Sequence, residues 1–391
     1  MCSIHNHDIF EILNKENLLK GKLNLRRIME SMTFADFTDL ENRAQEEEQD
    51  ALDTVVPPAD IVAFTEQRSC ADLYRMCQKG QIDLYPDFQR GEVWKNRAQT
   101  LFVDSMIKQL PIPSMCISLD VHSQKRYVID GLQRITTICK FLGDNDWKLS
   151  KIDDVDERIS GKKKVEIEQN SPDIIDIVEN LAIPVTVLRC DYSKASHMQY
   201  LFQIFYRLNS GGNKLYNQEI RNCIFQGNFN TLLKSLARSS DWLNVNHITK
   251  EKIDTSRFNN EERILRFFAF YYELDQYKGK LAAFLNEFMR SHKDLTEEEK
   301  NEYESLLSRS LKVAMEIKKL STSKNVFEAV LIGIAANISV LETKSADDIN
   351  RLYKDVEGDV NFSEETLKEG LGSLEKVKNR INAAKKIFAY G

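Results

Sequence analysis

Between about residue 56 and about residue 227 short, largely apolar runs alternate with amphipathic stretches. The β-like runs are Ile82 to Tyr85, Met115 to Leu119, Arg126 to Ile129 and Ile183 to Leu188. Between them Leu101, Phe102, Met106 and Leu110 fall on one helical face, and so do Met198, Leu201, Phe202, Phe205 and Leu208. Asp104 points away from the first of these stripes and reads as an ordinary surface acid. After about residue 228 the strand signals fade. Helical periodicity takes over in Glu262 to Leu274, Lys280 to Met289, Glu297 to Leu320, Val326 to Leu341 and Ser363 to Phe388. The pattern therefore predicts an α+β domain over 56–227 followed by an all-α region over 228–391. Residues 1–55 have helical composition and end in the acidic run Gln45 to Asp50; Pro57-Pro58 then stops any helix, which puts a boundary near residue 55. The polar stretch Asp144 to Ile174, with Gly161-Lys162-Lys163-Lys164, reads as an exposed and mobile insertion.

Composition adds bounds. With 42% hydrophobic and 29% charged residues among 391, the chain has the make-up of an ordinary globular protein, and 15 Gly and 7 Pro leave little room for long linkers. A net charge of -6 gives no overall attraction to nucleic acid, so DNA contact would need a local basic patch. Lys162 to Lys164 and Lys148 to Lys151 are the candidates, a solvated loop being the plainer reading of both. The seven cysteines form no C-x-x-C pair, and several sit in apolar runs, which fits reduced thiols and argues against structural zinc. Ala329 to Leu341 is too short for a bilayer span and is interrupted by Asn337, and the first residues lack a secretory pattern. A cytoplasmic protein without a membrane partner is expected.

Three segments carry candidate chemistry. Asp130-Gly131-Leu132-Gln133-Arg134 follows the run Arg126 to Ile129 and reads as strand, tight turn, helix. Glycine permits close backbone approach, the helix start offers free N–H groups to an anion, and the Arg134 fork matches phosphate oxygens. Asp130, at the strand end, suits a metal-bound phosphate. A plain Asp-Gly turn with an exposed arginine is the alternative. In Tyr85-Pro86-Asp87-Phe88-Gln89-Arg90-Gly91-Glu92-Val93-Trp94 a second Gln-Arg pair sits among aromatics; the alternative there is a loop anchored by Phe88 and Trp94, with Arg90 paired to a carboxylate such as Asp130. Leu208-Asn209-Ser210-Gly211-Gly212 ends a helix, and its glycines either cap that helix or expose amides to an anion. Glu219 and Arg221 open the next helix as capping or ion-pair residues.

Taken together, in this order and spacing, these segments resemble the N-terminal domain of GmrSD-type modification-dependent restriction proteins. The resemblance covers about residues 65–275, including Pro111-Ile112-Pro113, Glu219-Ile220-Arg221-Asn222 and Glu262-Arg263-Ile264-Leu265-Arg266. It implies a ParB-like α+β core with a small mixed sheet and a helical extension, nucleotide binding or hydrolysis, and work in defence against foreign DNA. Site residues carried over are Asp130, Gln133 and Arg134 as catalytic and Gln89, Arg90, Gly131, Asn209, Ser210, Gly211 and Gly212 as nucleotide-binding. A nucleoside triphosphate would come with Mg²⁺ held by Asp130. The family's Asp-Gly-Gln-Gln-Arg reads Leu132 at its third position here, which puts hydrolysis in doubt while leaving phosphate binding. Tyr216 stands where a Ser is usual, so the capping box with Glu219 is expected to be lost. Many relatives carry an HNH-type nuclease domain; the six His here form no such motif, so cleavage would belong to a separate nuclease subunit. The expected role is a nucleotide-binding, NTP-hydrolysing regulator or sensor of a restriction-like system. A non-catalytic module reading modified DNA and a metal-dependent nuclease are the alternatives.

Overall fold

The computed structural model describes residues 57–84, 94–208, 215–253, 258–321, 323–363, 365–367 and 370–389. The expected helical extension over 1–55 lies outside them. Five strands form one mixed sheet: β1 (Val62–Ser69), β2 (Ile82–Asp83), β3 (Met115–Asp120), β4 (Arg126–Asp130) and β5 (Ala182–Cys190), in the order β1-β5-β3-β4-β2. The β1/β5 and β3/β4 pairs are antiparallel, and the β3/β5 and β2/β4 pairs are parallel. The helices woven among these strands are α1 (Cys70–Gln78), α2 (Asn96–Ile107), α3 (Leu132–Gly143), α4 (Lys164–Asn170) and α5 (Pro172–Asn180). After β5 come α6 (Ala195–Leu208), α7 (Asn217–Ile224), α8 (Asn228–Ala237), α9 (Ser240–Val245), α10 (Lys250–Ile253) and α11 (Asn259–Glu273). The chain ends in α12 (Leu281–Ser291), α13 (Glu297–Met315), α14 (Lys324–Ala336), α15 (Ile338–Leu341), α16 (Ala346–Gly358) and α17 (Leu374–Phe388). The class is α+β with an all-helical C-terminal part, as the sequence predicts.

Strand side chains alternate between faces, so a strand covered on both sides feeds two cores. Met115, Ile117 and Leu119 of β3, Val128 of β4 and Ile183, Val185 and Val187 of β5 pack with α1 to α5. On the other face Ile129, Leu188 and Cys190 join a second core, which runs from Met198 of α6 to Phe388 of α17. Residues 54–391 form one compact unit around these two layers. Among the described residues no helix is long and apolar enough to cross a membrane.

Several local expectations are corrected. The stretch 144–174 is not an exposed insertion: Trp147, Leu149, Ile152, Val155, Ile159, Ile167 and Ile174 are buried in the first core. Trp147 donates its indole N–H to Asn96 Oδ1 at 2.7 Å and meets Phe141 edge-on. Asp104 is buried, accepting from Lys108 Nζ at 2.7 Å and from the Asp156 backbone N–H at 2.8 Å, so it stitches α2 to that stretch. The buried face of α2 holds Phe102, Val103, Met106 and Ile107, while Leu101 and Leu110 are exposed. The run Val326 to Leu341 breaks at Asn337, whose amide donates to the carbonyls of Gly333 (2.9 Å) and Lys385 (3.0 Å). The last helix starts only at Leu374, after a 3₁₀ turn at Val360–Phe362.

Candidate functional site

The turn from β4 into α3 places Asp130 through Arg134. The β3/β4 register pairs Cys116 with Asp130 but Ile117 with Val128, so Ile129 is an extra residue opposite that step. Such a bulge bends a strand and re-aims the side chain that follows it. Gly131 comes next with φ 95°, a left-handed conformation that L side chains resist, and a Cβ there would sit 2.8 Å from Met115 Cγ. From Ile135 onward the helix bonds are made, starting with Ile135 N–H to Gly131 O at 3.0 Å. The N–H groups of Leu132, Gln133 and Arg134 thus precede the first intrahelical donor, and they form the positive end of a twelve-residue helix.

Arg134 is closely engaged. Its Nη2 donates to Asp130 Oδ2 at 2.7 Å, and its Nη1 reaches Pro113 O and, at 3.3 Å, Ser114 O. The Arg134 side chain is 13% exposed and the Asp130 side chain 38% exposed. The arginine therefore fixes one oxygen of the carboxylate and ties the turn to the segment entering β3. Asp130 Oδ1 has no partner among the described residues and is the acceptor the turn presents outward. Cys116, opposite Asp130 on β3, has its thiol pushed up to about 12, first by burial and then by the Asp130 charge.

Gln133 accepts the Trp94 N–H on its Oε1 at 3.2 Å, which ties the start of the α2 region to the turn. β2 runs parallel to β4, so the chain leaves β2 toward Asp130 and is next described at Trp94, on Gln133. Gln89 and Arg90 fall outside the described residues, as do Asn209, Ser210, Gly211 and Gly212. Leu132 is half-buried and packs against both cores, so an amide in its place would be taken from water between two apolar layers.

The downstream motif residues meet elsewhere. Arg221 of α7, fully buried, donates to Glu262 of α11 at 3.0 Å, to Gln218 at 3.2 Å and, through Nε, to Asn286 of α12 at 2.8 Å. Lys324 of α14 approaches the other Glu262 oxygen at 3.4 Å. Next to it Arg266 pairs with Glu328 and Asn325, and Arg263 lies over Phe327 at 4.6 Å. Removing one partner of a buried pair of this kind costs about 3–5 kcal/mol. Here the Glu-Ile-Arg-Asn and Glu-Arg-Ile-Leu-Arg motifs are structural fasteners between helices. Glu219 still accepts the Tyr216 N–H at 2.7 Å, so half of the capping box expected to be lost survives. Further up, Asp60, held down at about 2 by hydrogen bonds from Lys194 and then His197, anchors the segment before β1 to α6.

Of the lysine spots, Lys148, Lys151 and Lys162 are exposed, while the other two lysines are paired. Lys163 pairs with Asp146 at 3.0 Å, and the buried Lys164 pairs with Glu168 at 2.9 Å and Asn145 at 3.0 Å. Sequence reading missed the Pro113 and Ser114 carbonyls as the seat of Arg134. The available signals were the i,i+4 spacing of Asp130 and Arg134 and the prolines just ahead of β3.

Comparison with known proteins gives one family match. Residues 72–226 match the family described as GmrSD restriction endonuclease, N-terminal domain. That span holds β2 to β5 but not β1, and it includes α1 from its third residue on, the Asp130–Arg134 turn and α7. Comparisons with curated proteins and with solved structures give no significant match.

Proposed function

Taking residues 72–226 as a GmrSD-type N-terminal domain, we propose that the Asp130–Arg134 turn binds the phosphates of a nucleoside triphosphate and that the chain is a nucleotide-dependent regulator or sensor of a restriction-like DNA defence system. The observation that carries the binding reading is the pairing of three helix N–H groups that have no acceptor among the described residues with a carboxylate oxygen on the same turn. In this reading the N–H groups of Leu132 to Arg134 receive phosphate oxygens. Among the described residues no three His, Cys, Asp or Glu side chains gather to hold a metal. Asp130 alone fits an Mg²⁺ that arrives with the phosphates, since Mg²⁺ takes one or two carboxylates and leaves its other positions to phosphate and water. Such an ion would neutralise charge on the phosphoryl oxygens. Arg134 acts as the positioning residue of Asp130, and Gln133 as the link to Trp94. Gln89, Arg90 and Asn209 to Gly212 are proposed to complete the phosphate shell. With Leu132 in place of an amide, binding is the primary activity and hydrolysis the secondary one. Recognition of modified DNA and a partner nuclease belong to the same proposal and rest on the family match alone.

The test is calorimetric titration of each nucleoside triphosphate with Mg²⁺ into the wild-type protein, Asp130→Asn and Arg134→Lys, followed by phosphate release. Wild-type binding, weakened on the order of tenfold or more in Asp130→Asn, supports the site. Arg134→Lys keeps the charge and loses the fork, so an intermediate loss marks Arg134 as a positioning residue. Folded wild-type protein that binds no triphosphate overturns the reading in favour of a DNA-binding module.

A further inference from the structure

Because the stretch 144–174 is anchored in the first core, its exposed lysines stand on a fixed frame beside the start of α2. Asn96, the first residue of α2, joins the two. Its Oδ1 accepts the Trp147 indole N–H at 2.7 Å, and its Nδ2 donates to the Lys148 carbonyl at 2.9 Å. One turn along α2 the Thr100 hydroxyl accepts the Ser150 N–H at 2.9 Å. The Leu149 N–H donates to the Lys162 carbonyl at 2.9 Å, and a Cβ on Gly161 would lie 3.4 Å from Lys151 Cβ. These contacts gather Lys95, Arg97, Lys148, Lys151 and Lys162 around the start of α2, all of them exposed. Among the described residues none of these five side chains has an ion-pair or hydrogen-bond partner. The carboxylates of the same stretch are occupied or distant. Asp146 pairs with Lys163, Asp144 accepts the N–H groups of Asp146 and Trp147 at 3.0 Å, and Asp156 and Asp173 pair with Arg158. Exposed Asp153, Asp154 and Glu157 surround Asp156, whose N–H is held by Asp104 further along α2. From residue 96 to residue 104 the helix rises about 12 Å, beyond the Debye length of about 8–10 Å at moderate salt. These acids therefore screen Lys151, the cation nearest to them, more than Lys95, Arg97 or Lys148, and the start of α2 is locally positive on a chain of net charge -6.

We infer that the start of α2 and the turns over 148–162 form a docking surface for the phosphate backbone of duplex DNA. Lysines neutralise backbone phosphates as point charges and release their counterions, a contact that positions a duplex without reading its sequence. A protein partner would instead need an apolar or aromatic anchor to seat. Here the large apolar side chains between the cations, Trp147 and Leu149, are buried in the first core, which leaves charge and not apolar area on the outside. The surface starts one residue after Trp94, whose N–H is held by Gln133, so it adjoins the Asp130–Arg134 turn. This inference rests on the DNA-defence reading above and makes no use of the triphosphate.

The experiment follows the fluorescence anisotropy of a labelled, unmodified DNA duplex of mixed sequence titrated with the full-length protein, without nucleotide, over a series of KCl concentrations. The logarithm of the binding constant is expected to fall with the logarithm of salt at a slope of about -0.9 per engaged cation, roughly -4.5 if all five take part. A variant combining Lys95→Gln, Lys148→Gln and Lys162→Gln should bind on the order of tenfold or more weakly at the lowest salt, with a slope shallower by about 2.7. A second variant combining Lys312→Gln, Lys319→Gln and Lys354→Gln, exposed lysines of the C-terminal helices, removes the same charge and should match the wild type. Circular dichroism checks that both are folded. Duplex binding that survives in the first variant, or that drops equally in both, overturns the surface while leaving the DNA-defence reading in place. Folded wild-type protein that binds no duplex at the lowest salt overturns the surface and that reading together. Duplex RNA or poly-glutamate that competes as well as DNA at equal charge concentration overturns the assignment of the partner.

Discussion

Gly131 joins two requirements that no other residue meets at once: a φ of 95° and a backbone that passes within 2.8 Å of Met115 Cγ when a Cβ is added. Gly131→Ala is expected to cost about 1–3 kcal/mol, seen as a lower denaturation midpoint, and to weaken any ligand held by the turn. An unchanged midpoint would mean that the turn relaxes freely, against the rigid seat described above. The residue-scale chemistry was legible where one short segment contains it. Asp130, Gly131 and Arg134 fall within five positions, and their strand-turn-helix context follows from the run ahead of them. What was not legible is the direction of the Arg134 fork. It points back to Pro113 and Ser114, some twenty positions upstream, because the antiparallel β3/β4 pairing brings the start of β3 beside the end of β4. Asp104 was misread for a similar reason. Its helix position looked polar and outward until residues 154–156 folded over it.

At the scale of elements, periodicity revealed most strands and helices but not the stretch 144–174. Ile152, Val155 and Ile159 carry a helical spacing, yet the chain there runs in turns, and with Trp147 and Leu149 they are set by the isolated bridge Lys148↔Lys163 and not by a regular element. Polar composition hid them. Trp147→Ala should destabilise the protein by about 3–5 kcal/mol, since it removes a buried indole, its bond to Asn96 and its contact with Phe141. Lys162→Ala, on the exposed side of the same stretch, should stay within about 0.5 kcal/mol. Chemical denaturation of the pair decides it: two near-neutral variants would restore the picture of a loose insertion. β1 escaped detection on different grounds. It is an edge strand whose side chains are exposed on both faces, so Val62 to Arg68 carries no clean alternation.

The described residues form a sheet covered twice. The layer of α1 to α5 is continuous with the sheet in sequence, and the second layer is supplied by α6 and by everything after it. A chain ended after Gly227 would keep the matched span 72–226 and the Asp130 turn, yet lose the helices that seat Phe202, Ile220 and Cys223. Such a fragment is expected to be insoluble or to bind a hydrophobic dye strongly. A soluble monomer with a sharp unfolding transition would show that the first layer stands alone. The buried pairing of Arg221 with Glu262 sharpens the point, for one half of the pair lies inside the matched span and the other beyond it. In genetic terms, a recombination breakpoint between α7 and α11 would hand an offspring protein one uncompensated charge in its interior. Shuffling of this kind of gene should therefore respect the reach of the ion pair, and the stretch inherited intact is longer than the matched span 72–226.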